Sequence, residues 1–200
     1  MPNGKPFDMP EYYDVYSCFI CADSGYRHTL RLGIVPDIII GDFDSYSGEL
    51  PEAAEIIRTV PEKDDTDTLM ALKKAIELGY KDIYLFGALG GKRIEHSIAN
   101  IQTMIYAHEH GCKLTILGES AVYLQGQETC RYAKEEGGSY MSVFALTGSA
   151  DIEYLRGVKY PLENYTMTPS FPIGVSNEIT SGYAELKIKS GLALVILTAM

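Results

Sequence analysis

The segment Gly41-Asp-Phe-Asp-Ser45 follows the apolar run Ile38-Ile-Ile40 and sets two carboxylates, Asp42 and Asp44, on either side of one aromatic ring. In extended chain, residues two apart share a face, so both carboxylates point one way and Phe43 the other. Carboxylates on one face repel unless a cation or proton joins them. Mg²⁺ carrying phosphates is the natural occupant, because it takes oxygen ligands and keeps water. A solvent-facing loop with an Asx turn is the competing reading of this segment alone. A second acidic group, Asp64-Asp-Thr-Asp67, stands just before an apolar-periodic run, where Thr66 or one carboxylate suffices to cap a helix. From residue 42 to 67 there are nine acids (42, 44, 49, 52, 55, 62, 64, 65, 67) against two bases, Arg58 and Lys63, a concentration that points to a cation site.

The third element runs from Phe86 to His96. Gly87, Gly90 and Gly91 permit close backbone approach to a ligand, and Lys92 with Arg93 can neutralise phosphate oxygens. The spacing is neither the GxxxxGK[ST] phosphate loop nor a well-placed GxGxxG fingerprint, and a tight turn with exposed bases is the alternative. His96 reads equally as a helix-start packing residue or as a catalytic base. Two acidic groups and a basic glycine loop at successive strand exits together suit phosphoryl transfer or hydrolysis. In such a site Mg²⁺ bridges phosphate oxygens, an Arg steadies charge and a carboxylate orients a hydroxyl.

The elements that must position these groups alternate over the first ~125 residues, as hydrophobic periodicity divides them. Strands are expected over 15–22, 38–40, 58–60, 83–86 and 114–117. Helices are expected over 26–32, 51–56, 66–78 and 97–108, the last with Ile98, Ile101 and Ile105 inward. This order predicts an α/β fold whose N-terminal part is an open, mostly parallel, Rossmann-like sheet with flanking helices. Beyond about residue 121 come short strand candidates at 122–124, 140–146, 152–155, 184–188 and 192–197, which predict a small C-terminal all-β, sandwich-like domain. The division expected is 1–123 for an α/β catalytic, nucleotide-binding domain and 124–200 for an all-β domain.

Composition narrows the partners. In 200 residues, 17 Lys+Arg against 27 Asp+Glu give a net charge of -10, which argues against nucleic-acid binding. A 46% apolar content argues against disorder. No apolar run matches a spanning helix, and residues 1–16 lack the apolar core of a signal peptide, so a cytoplasmic protein is expected. Cys18 and Cys21 form a CxxC within a strand-like run, where residues three apart face opposite ways, and buried free thiols are the expected state of all four cysteines.

The ordered set Ala22-Asp-Ser-Gly25, Gly33-Ile-Val-Pro-Asp37, Gly41-Asp-Phe-Asp-Ser45, Asp64-Asp-Thr-Asp67, 87–100, Gly157-Val-Lys-Tyr-Pro-Leu162 and Val175-Ser-Asn-Glu178 resembles the thiamine pyrophosphokinase family over nearly the whole chain. The resemblance implies Mg²⁺-dependent transfer of a pyrophosphoryl group from ATP, as co-substrate, to thiamine, with release of AMP. It implies a homodimer with active sites between subunits. Asp42, Asp44 and Asp67 would organise the metal and join Arg93 in catalysis. Asp23, Ser24, Gly25, Asp64, Thr66, Gly90, Gly91, Lys92, His96 and Asn100 would line the nucleotide, and Tyr160, Ser176 and Asn177 the thiamine. Whether Asp44 or Asp67 assists the departing proton, and whether Lys92 or Arg93 meets the phosphates, stays open. Ser24 stands where relatives commonly have glycine, and Glu95 where they have aspartate. The alternatives are a related diphosphokinase acting on another small alcohol, or a non-catalytic nucleotide- or thiamine-binding protein.

Overall fold

A computed structural model describes residues 18–43, 48–60 and 64–200. By internal contacts these fall into two units, one holding the described residues up to Ile83 together with Gly87–Cys112, the other Tyr84–Phe86 and Lys113–Met200.

In the first unit, β1 (Ile20–Ala22), β2 (Ile38–Gly41) and β3 (Glu55–Arg58) form a parallel sheet in that order. A parallel pair needs a crossover, and α1 (Tyr26–Leu32) supplies it between β1 and β2. Gly33 ends α1 at φ 69°, and the N–H of Ile34 then donates to the Thr29 carbonyl, 2.9 Å away. Asp37 is tied back by its Oδ2, which accepts from the Phe19 N–H at 2.7 Å. Helix α2 (Asp67–Glu77) buries Leu72 and Ala75 and packs against β1, β2 and α3 (Ile94–Glu109). The core of this sheet gathers Cys21, Tyr26 and Ile39, with Phe43, Leu50, Ala54 and Ile56 against them.

The second unit is a sandwich. One sheet has six strands in the order β11-β8-β13-β6-β5-β4, built from β4 (Asp82–Phe86), β5 (Lys113–Leu117), β6 (Ser120–Gln125), β8 (Ser139–Ala145), β11 (Asn177–Glu178) and β13 (Ala193–Ala199). The other has four, β10-β9-β12-β7, from β7 (Thr129–Ala133), β9 (Ala150–Arg156), β10 (Leu162–Met167) and β12 (Tyr183–Ser190). Alternate residues of β8 (Met141, Val143, Ala145) share one core with Ile152, Leu155, Leu186 and Ile188 of the four-stranded sheet. This is the alternation that two facing sheets require.

The fold is therefore mixed α/β with few helices and mostly strand, and the expected Rossmann-like open parallel sheet is corrected. Parallel pairing joins β1, β2 and β3 in a sheet of three, while β4 and β5 belong to the six-stranded sheet, where β5 pairs antiparallel with β6. A short apolar run reports burial and not its neighbour, so the runs at 83–86 and 114–117 read the same in either sheet. The helix expected over 51–56 is a turn followed by β3. Its opening Pro51-Glu-Ala-Ala54 closes one bond, Ala54 N–H to Pro51 O at 3.3 Å, before the β-branched Ile56 and Ile57 pair with β2. In α3 the buried residues are Asn100, Thr103, Met104 and Ala107, whereas Ile98 is 54% exposed.

Candidate active site

Asp23 follows β1 directly and opens a short 3₁₀ turn through Ser24 to Gly25, the residue before α1. Asp42 follows Gly41 at the end of β2, and the register Ala22↔Ile40 brings the two exits side by side. Gly41 is what lets them approach: a Cβ there would lie 2.9 Å from the Asp23 Cα, closer than real Cβ contacts come. Asp23 (φ 42°) and Phe43 (φ 60°) both occupy the left-handed region, which non-glycine residues enter at a cost and which clusters at functional sites. Asp44 lies outside the described residues.

At α2, Thr66 is the N-cap: its Oγ1 accepts from the Leu69 N–H at 3.2 Å. That leaves Asp67 in the first turn, where the helix dipole favours negative charge. Asp65 pairs with Lys73, whose ammonium pKa is raised chiefly by that hydrogen bond, and Asp64 is exposed.

The glycine loop is held from beneath. Gly87, Gly90 and Gly91 have φ of 68°, 83° and 80°, a region that favours glycine. Asn100, 8% exposed, donates its Nδ2 to the Ala88 carbonyl at 2.7 Å. Ser97 Oγ accepts from the Gly90 N–H at 3.1 Å. Asn100, named from the sequence as a ligand group, is thus engaged with the loop backbone. Arg93 stands at the N-cap of α3 and its Nε donates to Glu95 Oε1 at 2.9 Å, which holds the Glu95 carboxyl below its ordinary range. Lys92, Arg93 and His96 are all exposed. His28 of α1 was not singled out from the sequence, yet its Nε2 lies 3.4 Å from where a Gly87 Cβ would stand. Ser97 was also missed; a lone Ser one turn into a helix carries no signal until the loop is seen folded onto it.

Metal chemistry fits the donors. Among the described residues no three His, Cys, Asp or Glu side chains form a cation cage. Mg²⁺ seldom uses one, being held by one or two carboxylates together with substrate phosphates. The hard carboxylate oxygens of Asp42, just past β2, and of Asp67, in the first turn of α2, are donors of that kind. The cysteines are free, and burial, as the largest cause, pushes the Cys18 and Cys21 thiols up, keeping them protonated near neutrality.

In the second unit, Asn177 is buried and braces Tyr160 from both sides: its Oδ1 accepts from the Tyr160 N–H at 3.0 Å, and its Nδ2 donates to the Tyr160 carbonyl at 2.8 Å. Tyr160 is 65% exposed and lines a cleft of about 220 Å³ with Leu162, Ile173, Val175 and Asn177. Ser176 is exposed at φ 52°, and its N–H donates to Ser142 Oγ at 3.0 Å. The structure thus brings Tyr160 and Asn177 together, with the Asn177 amide spent on the Tyr160 backbone.

One unit carries paired carboxylates at strand exits, donors suited to a metal-bound polyphosphate, and the other a cleft beside an exposed tyrosine, of a size for a small organic molecule. The family profile for the thiamin pyrophosphokinase catalytic domain matches residues 9–116, and that for the vitamin B1 binding domain matches residues 129–193. The chain belongs to the thiamin pyrophosphokinase family. It is 29% identical to the thiamine pyrophosphokinase of Bacillus subtilis (strain 168) over 98% of this chain and 94% of that one. Among solved structures it resembles the thiamin pyrophosphokinase family protein of Enterococcus faecalis, with 27% identity, TM-score 0.84 and 100% and 95% of the two chains covered. The thiamine pyrophosphokinase of Bacillus subtilis also superimposes with TM-score 0.84, at 26% identity over 96% and 93% of the chains.

Proposed function

We propose that the chain transfers the pyrophosphoryl group of ATP to the hydroxyethyl oxygen of thiamine, forming thiamine diphosphate and AMP. The observation that carries this reading is the pair of aspartates at adjoining strand exits, packed together through Gly41, inside the part that matches the catalytic profile. The alcohol oxygen attacks the β-phosphorus, the bond from that phosphorus to the α-phosphate oxygen breaks, and the hydroxyl proton passes to a carboxylate, Asp44 or Asp67. Asp42, Asp44 and Asp67 would hold Mg²⁺, which would supply charge neutralisation at the phosphates. Lys92 or Arg93 meets phosphate oxygens from the glycine loop. Asp23, Ser24, Gly25, Asp64, Gly90, Gly91 and His96 surround the nucleotide, while Thr66 and Asn100 hold the elements that carry it.

Residues 1–123 serve catalysis and residues 124–200 serve thiamine binding and dimerisation, with active sites between two subunits of a cytoplasmic homodimer. The exposed Tyr160 ring presents an aromatic face suited to the cationic thiazolium, and Ser176 and Asn177 stand at the aminopyrimidine end. Among the described residues no helix is long and apolar enough to cross a membrane.

Incubation of the purified chain with Mg·ATP and thiamine tests the reading. Thiamine-dependent AMP and thiamine diphosphate are expected; ADP as the sole nucleotide product, or AMP release indifferent to thiamine, overturns it. Asp42→Asn should lower turnover far more than stability.

A further inference from the structure

Arg58 is one of two bases in the acid-rich stretch from 42 to 67, and it closes β3 directly opposite Gly41, the last residue of β2. The ladder continues one step further, the Thr59 N–H donating to the Gly41 carbonyl at 3.0 Å, so the point from which the Arg58 side chain leaves is fixed. Its guanidinium carbon lies 5.1 Å from the centroid of the Phe43 ring, inside the range of a cation–π contact. Phe43 also packs against the core of Cys21, Tyr26 and Ile39, so its ring has the core and a cation as neighbours. The same residue holds φ 60°, a left-handed conformation that a bulky side chain keeps only when its surroundings impose it.

We propose that Arg58 is a positioning residue for the Mg²⁺–nucleotide site. Stacked on Phe43, it holds the left-handed turn that follows Asp42 and so fixes the direction of the Asp42 carboxylate. The torsion at Phe43 sets how the Asp42–Phe43 peptide is oriented, and the Arg58 guanidinium is a neighbour of the Phe43 ring beside those the core supplies. The inference rests on the pyrophosphoryl-transfer reading above and assigns it a residue outside the acidic and glycine motifs.

The test titrates Mg²⁺ calorimetrically into wild type, Arg58→Ala, Arg58→Lys, Phe43→Leu and the double variant Arg58→Ala/Phe43→Leu. Each holds a non-hydrolysable ATP analogue, and circular-dichroism melts confirm folding. Loss of the contact should raise the Mg²⁺ dissociation constant about two- to fivefold in Arg58→Ala, with Lys recovering part of it. In the Phe43→Leu background the same arginine deletion should change nothing, because its ring is gone. An unchanged Mg²⁺ constant in Arg58→Ala, an equal effect with and without the ring, or a rise confined to the KM for ATP overturns the proposal; the last would make Arg58 a direct phosphate contact. If Phe43→Leu does not fold, Phe43→Met replaces it in the cycle. Failure of the wild-type chain to make thiamine diphosphate would sink the functional reading instead, a result the calorimetry does not depend on.

Discussion

Replacing Asn100 with leucine separates a residue that touches ligand from one that holds the loop touching it. Leucine keeps the branched heavy-atom skeleton, though it is bulkier, and removes the Nδ2 that donates to the Ala88 carbonyl at 2.7 Å. Ala88 is 6% exposed and Asn100 8%, so little water can reach the stranded carbonyl. Leaving a buried acceptor without its donor costs about 1–3 kcal/mol. For a chain of this length a loss of that size lowers the melting temperature by about 2–12 °C. The loop from Gly87 to Gly91 then loses its tie to α3 apart from the Gly90 to Ser97 bond, so the KM for Mg·ATP should rise while the KM for thiamine stays. Thermal melts and two-substrate kinetics on the same preparation read both effects. A collapse of turnover at unchanged melting temperature would refute the reasoning, because it would place the amide on the ligand.

Gly41→Ala sets a Cβ 2.9 Å from the Asp23 backbone and should cost about 1–3 kcal/mol as the Asp23 turn is pushed aside; unchanged stability in a urea melt would show that the exits are not packed as described. Thr66→Ala removes the acceptor for the Leu69 N–H and should cost about 1 kcal/mol, whereas Thr66→Ser should restore it, as equilibrium melts will read. Asp151 accepts hydrogen bonds from Ser190 and Thr166, which hold its carboxyl below the ordinary range, with Ser190 the larger cause. Its pKa is lower folded than unfolded, so its contribution is present above the ordinary aspartate range and lost as the pH falls through the lowered value. Ser190→Ala should flatten the acid side of the stability profile, and an unaltered slope would contradict this.

The site was more legible than the sheet that carries it. Gly41-Asp-Phe-Asp and Asp64-Asp-Thr-Asp67 announce themselves because charge at a strand end or helix start is a local pattern, and helix α1 could be read to the residue from Gly33. Sheet membership is a long-range property: β4 and β5 are apolar runs that read alike whether they join β1–β3 or, as they do, the edge of the six-stranded sheet, and β7, β10 and β11 passed unmarked among polar and aromatic residues. The partners of polar side chains are hidden for the same reason. Asn100 and Asn177 are each buried and hydrogen-bond a neighbouring backbone segment, a partner invisible until the chain folds. His28 carries no signal because it lies in an ordinary amphipathic helix, and Arg58 reads only as one base among many acids until its place opposite Gly41 is seen.

In the proposed reaction a whole pyrophosphoryl group moves in one displacement at the β-phosphorus. ATP labelled with ³²P at the β position, turned over with thiamine and Mg²⁺, should deliver the label to the phosphorus bonded to the thiamine oxygen, with unlabelled AMP released in equal amount. Thiamine diphosphate free of label, or label accumulating in ADP, would mean that phosphoryl groups are passed singly from the γ position and would contradict the account.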